Sequence, residues 1–151
     1  KILRGFLRRI KKNYDFIIID CPPSLSLLTI NALVAADTVL VPIQCEYYAL
    51  EGLNQVMKTI QLVKKGLNPK LEMEGVVFTM YDSRTNLSNE VVQSVRESLN
   101  ENIYNTMIHR NVRLAEAPSY GMPITLYDTR SVGAEDYRTL AAEVIKRGEE
   151  L

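Results

Sequence analysis

Asp20 is the residue in this chain best placed for chemistry. It closes an apolar run, Phe16-Ile17-Ile18-Ile19, and is followed by Cys21-Pro22-Pro23-Ser24. A carboxylate at the C-terminal edge of a buried strand can hold a Mg²⁺ ion, directly or through water. The two prolines stiffen a loop that could sense a phosphate. The arrangement is Walker-B-like. The same pattern also occurs in response regulators and Rossmann domains, or as a simple helix cap, and the residues alone leave these readings open.

A Walker-B carboxylate works beside a Gly-rich phosphate loop ending in Lys-Ser/Thr. The seven glycines stand at 5, 52, 66, 75, 121, 133 and 148, and none is followed by Lys. Neither G-x-x-x-x-G-K-[ST] nor G-x-G-x-x-G occurs. In P-loop proteins that loop follows an early strand upstream of the Walker-B strand, and here the Walker-B-like strand is expected from residue 16. No G-x-S-x-G elbow supports a hydrolase. His109 is the single histidine, without an obvious nucleophile near it, and a lone His is more often structural. Arg84, Arg110, Arg113 and Arg130 follow predicted strands or sit in a later loop. Together they could bind DNA phosphates without reading sequence. Spacing alone favours ordinary solvated arginines paired with Asp82, Glu116 or Asp128.

The elements that must position these residues alternate. Ile2, Leu3, Phe6, Leu7 and Ile10 recur at helical spacing, with six basic residues on the other face of residues 1–12. That face reads as solvated, with a nucleic-acid or acidic-lipid patch as the sharper alternative. Phe16–Ile19 reads as a strand buried on both faces, stopped by the prolines. Ser24 could cap a helix over 25–36. Strands follow at 39–43, 75–81 and 103–108. Helices follow at 49–65, 87–99, 111–117 and 134–147. Such alternation implies right-handed βαβ units and a mostly parallel sheet. Ligands of such sheets bind beyond the carboxyl ends of the strands, which points to Asp20, 44–48, 80–86 and 109–113.

Composition narrows the partners. The 151 residues suit one domain with a respectable core. Eighteen basic residues balance eighteen acidic ones, so any nucleic-acid site must be a local patch. Two separate cysteines and one histidine do not supply the four ligands of a structural zinc. Cys21 and Cys45 read as free cytosolic thiols. No apolar run approaches the roughly 20 residues of a membrane span. No signal peptide is visible, and a start without Met suggests a fragment.

Several longer stretches then become specific. Asp20-Cys21-Pro22-Pro23-Ser24 with Leu27–Leu33 resembles the Walker-B and switch II region of the ParA/Soj partitioning ATPases. Val41–Gly52, Thr79–Asn86, Arg110–Pro118 and Tyr127–Ser131 with Gly133-Ala134 resemble further signatures of that family. Order and spacing match over nearly the whole chain.

The resemblance implies a P-loop NTPase-like (Rossmann-like) α/β fold, here incomplete on its N-terminal side, with residues 1–151 forming the C-terminal part of one ATPase domain. It implies ATP and Mg²⁺ in the intact protein, an ATP-dependent sandwich dimer, DNA binding without sequence preference, and a ParB-type partner that stimulates hydrolysis. Carried over by position, Asp20 is the carboxylate near Mg²⁺, and Pro22, Pro23 and Ser24 belong to switch II. Thr79, Met80, His109 and Arg110 fall near the adenine pocket, where the family usually has Pro in place of His109. Arg84 and Arg113 fall where the family contacts DNA. The Walker A lysines have no counterpart, so the chain alone is expected neither to bind nor to hydrolyse ATP. The implied location is cytoplasmic, on the nucleoid in the intact protein.

Other classes stay on the table: a DNA- or partner-binding module without catalysis, or a MinD-type positioning ATPase. The latter end in a basic membrane helix, whereas Thr139–Leu151 is mixed in charge. A response-regulator reading leaves the downstream motifs unexplained. Finally, a Phe-Ile-Ile-Ile strand without its phosphate-loop neighbour should not stand at an open edge. Self-association, strand exchange, or the basic N-terminal helix folding over the gap is expected.

Overall fold

The computed structural model describes residues 2–22, 26–99 and 102–149. Helix α1 (Ile2–Ile10) runs into a 3-10 turn at Lys11–Asn13. Then come α2 (Leu27–Ala35), β1 (Thr38–Gln44), α3 (Ala49–Gly66), β2 (Glu72–Tyr81), α4 (Asn86–Ser98) and β3 (Ile103–His109). Short helices α5 (Val112–Glu116) and α6 (Ile124–Tyr127) flank a second 3-10 turn, Ala117–Tyr120, and α7 (Val132–Glu149) closes the chain. The three strands lie in one sheet in the order β1-β2-β3, with β2 and β3 parallel.

The alternation of strand and helix is as the periodicity predicts, with one exception. Phe16–Ile19 is not a strand. It carries no ladder among the described residues, and Ile18 is 90% exposed and Phe16 48%. An apolar run becomes a strand only where a neighbour accepts its N–H and C=O groups, and no described strand does so. Ile17 and Ile19 are half-buried, so the alternate side chains of the run, Phe16 and Ile18, are the exposed ones. Of the predicted switch II residues, Pro22 is exposed, while Pro23 and Ser24 lie outside the described residues. The N-cap position of α2 is Ser26, whose side chain makes no capping bond; its buried Oγ has no hydrogen-bond partner.

The chain divides into two compact units: Lys1–Val39 with Asn54–Glu74, and Leu40–Leu53 with Gly75–Leu151. In the first, α1 packs against α2, and Arg4 and Arg8 line a groove with Gly5, Val34 and Leu67. Asn68 is buried because its side chain has work to do. It donates to the carbonyls of Leu33 (3.0 Å) and Ala36 (2.8 Å), which the end of α2 would otherwise leave without donors.

The second unit holds most of the sheet. Val77, Tyr104 and Ile108 form a core with Leu40, Leu114, Leu140 and Val144. Ala117, Ile124 and Ala134 form another with Leu114 and Tyr127. Gly75 is required by close packing: a Cβ there would stand 2.8 Å from the Tyr104 ring and 3.0 Å from the Asn102 carbonyl. The Arg147 guanidinium covers the other reach of that ring, 3.9 Å from its centroid.

Two irregularities shape the β2–β3 pairing. Val76 stands opposite Ile103 but Phe78 opposite Met107, so β3 bulges between them; a second shift follows between Phe78 and Tyr81. Within the second shift Met80 has φ of 55°, a left-handed conformation that is uncommon for a residue with a side chain.

Candidate functional site at the strand exits

The exits of β1, β2 and β3 adjoin one another in the second unit. Cys45, just past β1, donates its N–H to the Thr79 carbonyl at 3.0 Å, and Arg110, just past β3, donates to the Tyr81 carbonyl at 2.9 Å. The register pairs Tyr81 with His109. Thr79, Met80, His109 and Arg110 therefore sit on two neighbouring strand ends. Thr79 is half-buried, Met80 and Arg110 are exposed, and His109 lies between these extremes. The bulge at Met80 turns the Tyr81 carbonyl toward β3, where Arg110 can reach it. A side chain held in the left-handed region is strained, and such strain gathers at functional positions.

His109 is a positioned residue. Its backbone N–H donates to Asp136 Oδ2 at 2.8 Å, its ring Nδ1 lies 3.0 Å from the same oxygen, and its ring meets Tyr81 edge-on at 5.5 Å between centroids. Tyr81 donates its hydroxyl to Asn89 on α4 at 2.9 Å. The β2 exit is wound tightly. Thr85 caps α4, its hydroxyl oxygen accepting from Ser88 N–H and its hydroxyl donating to the Asp82 carbonyl.

Two of the four arginines, Arg84 and Arg113, are held by acids, as their spacing suggests. Arg84 grips Asp82 with both Nε (2.9 Å) and Nη2 (2.8 Å) and adds its backbone N–H. Those hydrogen bonds from Arg84 hold the Asp82 carboxyl down at about 2. Arg113 donates Nη1 to Glu116 (2.8 Å) and sets Nε 3.4 Å from Asp128. Among the described residues, no ion pair engages Arg110 or Arg130, and both are exposed. Sequence reasoning had no means of finding the Asp136 anchor, which lies 27 residues from His109.

Asp20 belongs to the first unit. It is exposed, at the end of the unpaired run. A Mg²⁺ ion keeps several waters and takes one or two carboxylates plus phosphate oxygens. An open carboxylate such as Asp20 fits the single-ligand part of that role. Among the described residues no three His, Cys, Asp or Glu side chains cluster to hold a metal by themselves. Burial and then the Asp20 charge raise the adjacent Cys21 thiol; in the second unit, burial pushes the Cys45 thiol up to about 11. Neither is disulfide-bonded. No helix among the described residues is long and apolar enough to cross a membrane.

The sheet with its flanking helices has the α/β fold of the P-loop ATPases. A family model described as an AAA domain matches residues 1–73. Within that class, the chain is a homologue of the ParA/Soj chromosome-partitioning proteins over most of its length. It is 57% identical to the chromosome partitioning protein ParA of Myxococcus xanthus over 145 residues, 96% of this chain and 51% of that one. It is 58% identical to the sporulation initiation inhibitor protein Soj of Bacillus subtilis, across 97% of this chain and 58% of that one. Among solved structures, cobyrinic acid a,c-diamide synthase from Mycobacterium smegmatis, with bound ADP and magnesium, superposes with a TM-score of 0.79 at 34% identity, covering 97% of this chain and 53% of that one. The chain spans about half the length of the curated relatives it matches.

Proposed function

We propose that this chain carries the Mg²⁺-side carboxylate, the base-side strand exits and the DNA-facing arginines of a ParA/Soj-type partitioning ATPase. The observation that carries the reading is the junction of the β2 and β3 exits, where Thr79, Met80, His109 and Arg110 sit together around a strained bulge. Four residues separated by about 30 positions meet where sheets of this class bind ligands. The adenine of ATP is the ligand that the homology favours. His109, pinned through Asp136, presents a fixed imidazole edge there, and Arg110 a free cation.

Asp20 would take one position around Mg²⁺. When bound, the ion neutralises charge on the phosphate oxygens. Switch II, including Pro22, Pro23 and Ser24, follows directly and would respond to the terminal phosphate. The 151 residues hold no phosphate-cradling loop of the G-x-x-x-x-G-K-[ST] kind. The chain by itself is therefore read as unable to hydrolyse ATP. ATP-dependent dimerisation, DNA binding on the nucleoid and stimulation by a ParB-type partner belong to the intact protein, and a cytoplasmic location follows from that reading.

DNA contact by Arg84 and Arg113 is compatible with their ion pairs. Arg84 keeps Nη1 free of Asp82, and exposed pairs are weak enough for a phosphate to compete. Arg110 and Arg130 add unpaired charge in the same unit.

Calorimetry with ATP and Mg²⁺ tests the reading. The chain alone should give no binding heat, whereas a version extended upstream through a phosphate loop should bind, and should bind more weakly with Asp20→Ala. Tight binding by the short chain would sink the assignment of the phosphate site to a segment beyond these residues.

A further inference from the structure

The His109 ring is held at one nitrogen and open at the other. Asp136 Oδ2, on α7, accepts the backbone N–H of His109 at 2.8 Å and lies 3.0 Å from its ring Nδ1. Two bonds from one residue to one oxygen hold the ring in a single orientation. An ionised carboxylate only accepts, so Nδ1 must carry the hydrogen. In the neutral ring Nε2 is then a bare acceptor. Among the described residues no hydrogen bond reaches Nε2, and it is not a buried unpaired atom; the side chain is 44% exposed. Tyr81, on β2, meets the ring edge-on, and its hydroxyl already donates to Asn89. An oriented acceptor therefore stands open at the junction of the β2 and β3 exits.

We propose that Nε2 of His109 selects adenine over guanine by accepting a hydrogen bond from the exocyclic amino group of the base. This rests on the reading of that junction as the base side of a nucleotide site. The two purines differ at the atom in question: adenine carries an amino donor there, and guanine a carbonyl acceptor. The Nε2 lone pair meets a donor in the first case and another lone pair in the second. Arg110, exposed one position further on, is only a donor. The N7 acceptor common to both purines suits it, so it does not discriminate. Asp136 acts through His109 and is the positioning residue, since it sets both the tautomer and the orientation of the ring. The ParA/Soj family usually has Pro at this position, and proline has no side-chain acceptor. The selection would therefore be a property of this chain's own residues.

His109 is the single histidine among the 151 residues, so its ring nitrogens are assigned without ambiguity. Long-range proton–nitrogen NMR spectra of the chain, with the ring neutral, should show Nδ1 protonated and Nε2 bare. Asp136→Ala should shift the ring toward the Nε2–H form that an unrestrained imidazole prefers. An Nε2–H ring in the unaltered chain overturns the proposal. Binding of ATP and GTP to the version extended through a phosphate loop is the second arm. The unaltered residues should favour ATP about tenfold or more. His109→Phe keeps an aromatic ring and removes the acceptor, and it should erase the preference by weakening ATP alone. Asp136→Ala should narrow the preference as well. Equal weakening of both nucleotides by His109→Phe, with the preference intact, marks a merely structural histidine and overturns the proposal while leaving the nucleotide site standing. Binding of neither nucleotide sinks the reading of the junction itself, and the proposal with it.

Discussion

The two borders of the sheet are finished in opposite ways. Along β3, the bulge turns the Asn105 and Thr106 N–H groups outward, and Glu143 of α7 accepts both, at 2.8 and 2.9 Å. It also accepts the Thr106 hydroxyl at 2.7 Å and Arg147 Nη2 at 2.9 Å. Farther along, Asp136 accepts the N–H of His109. Along β1 no such carboxylate is seen among the described residues, and Pro42 has no donor to expose. A strand edge can be closed by another strand or by carboxylates from a helix. β3 uses the second device.

The largest expected effect breaks the closed side. Glu143→Ala strands two backbone donors and removes the acidic partner of Arg147 in a partly buried place, and should cost about 2–4 kcal/mol of unfolding free energy, read from the urea midpoint. An unchanged midpoint would mean that β3 is held by its core contacts alone, and the contrast between the edges would lose its basis.

Acid offers a gentler version of the same test. Burial alone would raise the Glu143 carboxyl. The hydrogen bonds from Asn105, Thr106 and Arg147 outweigh it and hold the group below the ordinary 4.5. Folding then favours the ionised carboxylate, so this contribution is complete above about 4.5 and is lost as pH falls through the lowered value. Thermal unfolding followed from pH 7 downward should show a steeper acid limb for the unaltered chain than for Glu143→Gln.

The smallest effect is expected at the β2 exit, where an acid holds an arginine on the surface. Asp82→Asn should leave the melting temperature unchanged, since an exposed pair contributes little. In a version extended to bind nucleotide, it should tighten DNA binding and steepen its salt dependence by freeing Arg84. Weaker DNA binding would show that Asp82 positions Arg84 rather than restraining it.

Much of this was legible in the residues. Each long helix follows an apolar stripe, and β1, β2 and β3 follow runs of β-branched residues. Asp82 and Glu116, which hold Arg84 and Arg113, lie within three positions of them in the chain, which is why that pairing could be read from spacing. Phe16–Ile19 has the composition of a strand, but a strand exists only with a partner, and composition does not report partners. The left-handed Met80 escaped because its neighbours Thr79 and Tyr81 carry no turn signal. Asp136 and Glu143 escaped because their contacts cross 27 to 38 residues. The turn at Ala117–Tyr120 and the four-residue α6 are too short for periodicity to register.

Asp136 and Glu143 also act as a gauge of length. They stand seven positions apart on α7, about 10.5 Å along a helix. The β3 groups they hold are three to four residues apart, about 10–13 Å along a strand. The two rulers agree at both ends only for the present count of residues. One residue gained or lost between them would swing one carboxylate about 100° away from the strand. Over evolutionary time this stretch of α7 should change its letters freely on the outer face while its length stays fixed.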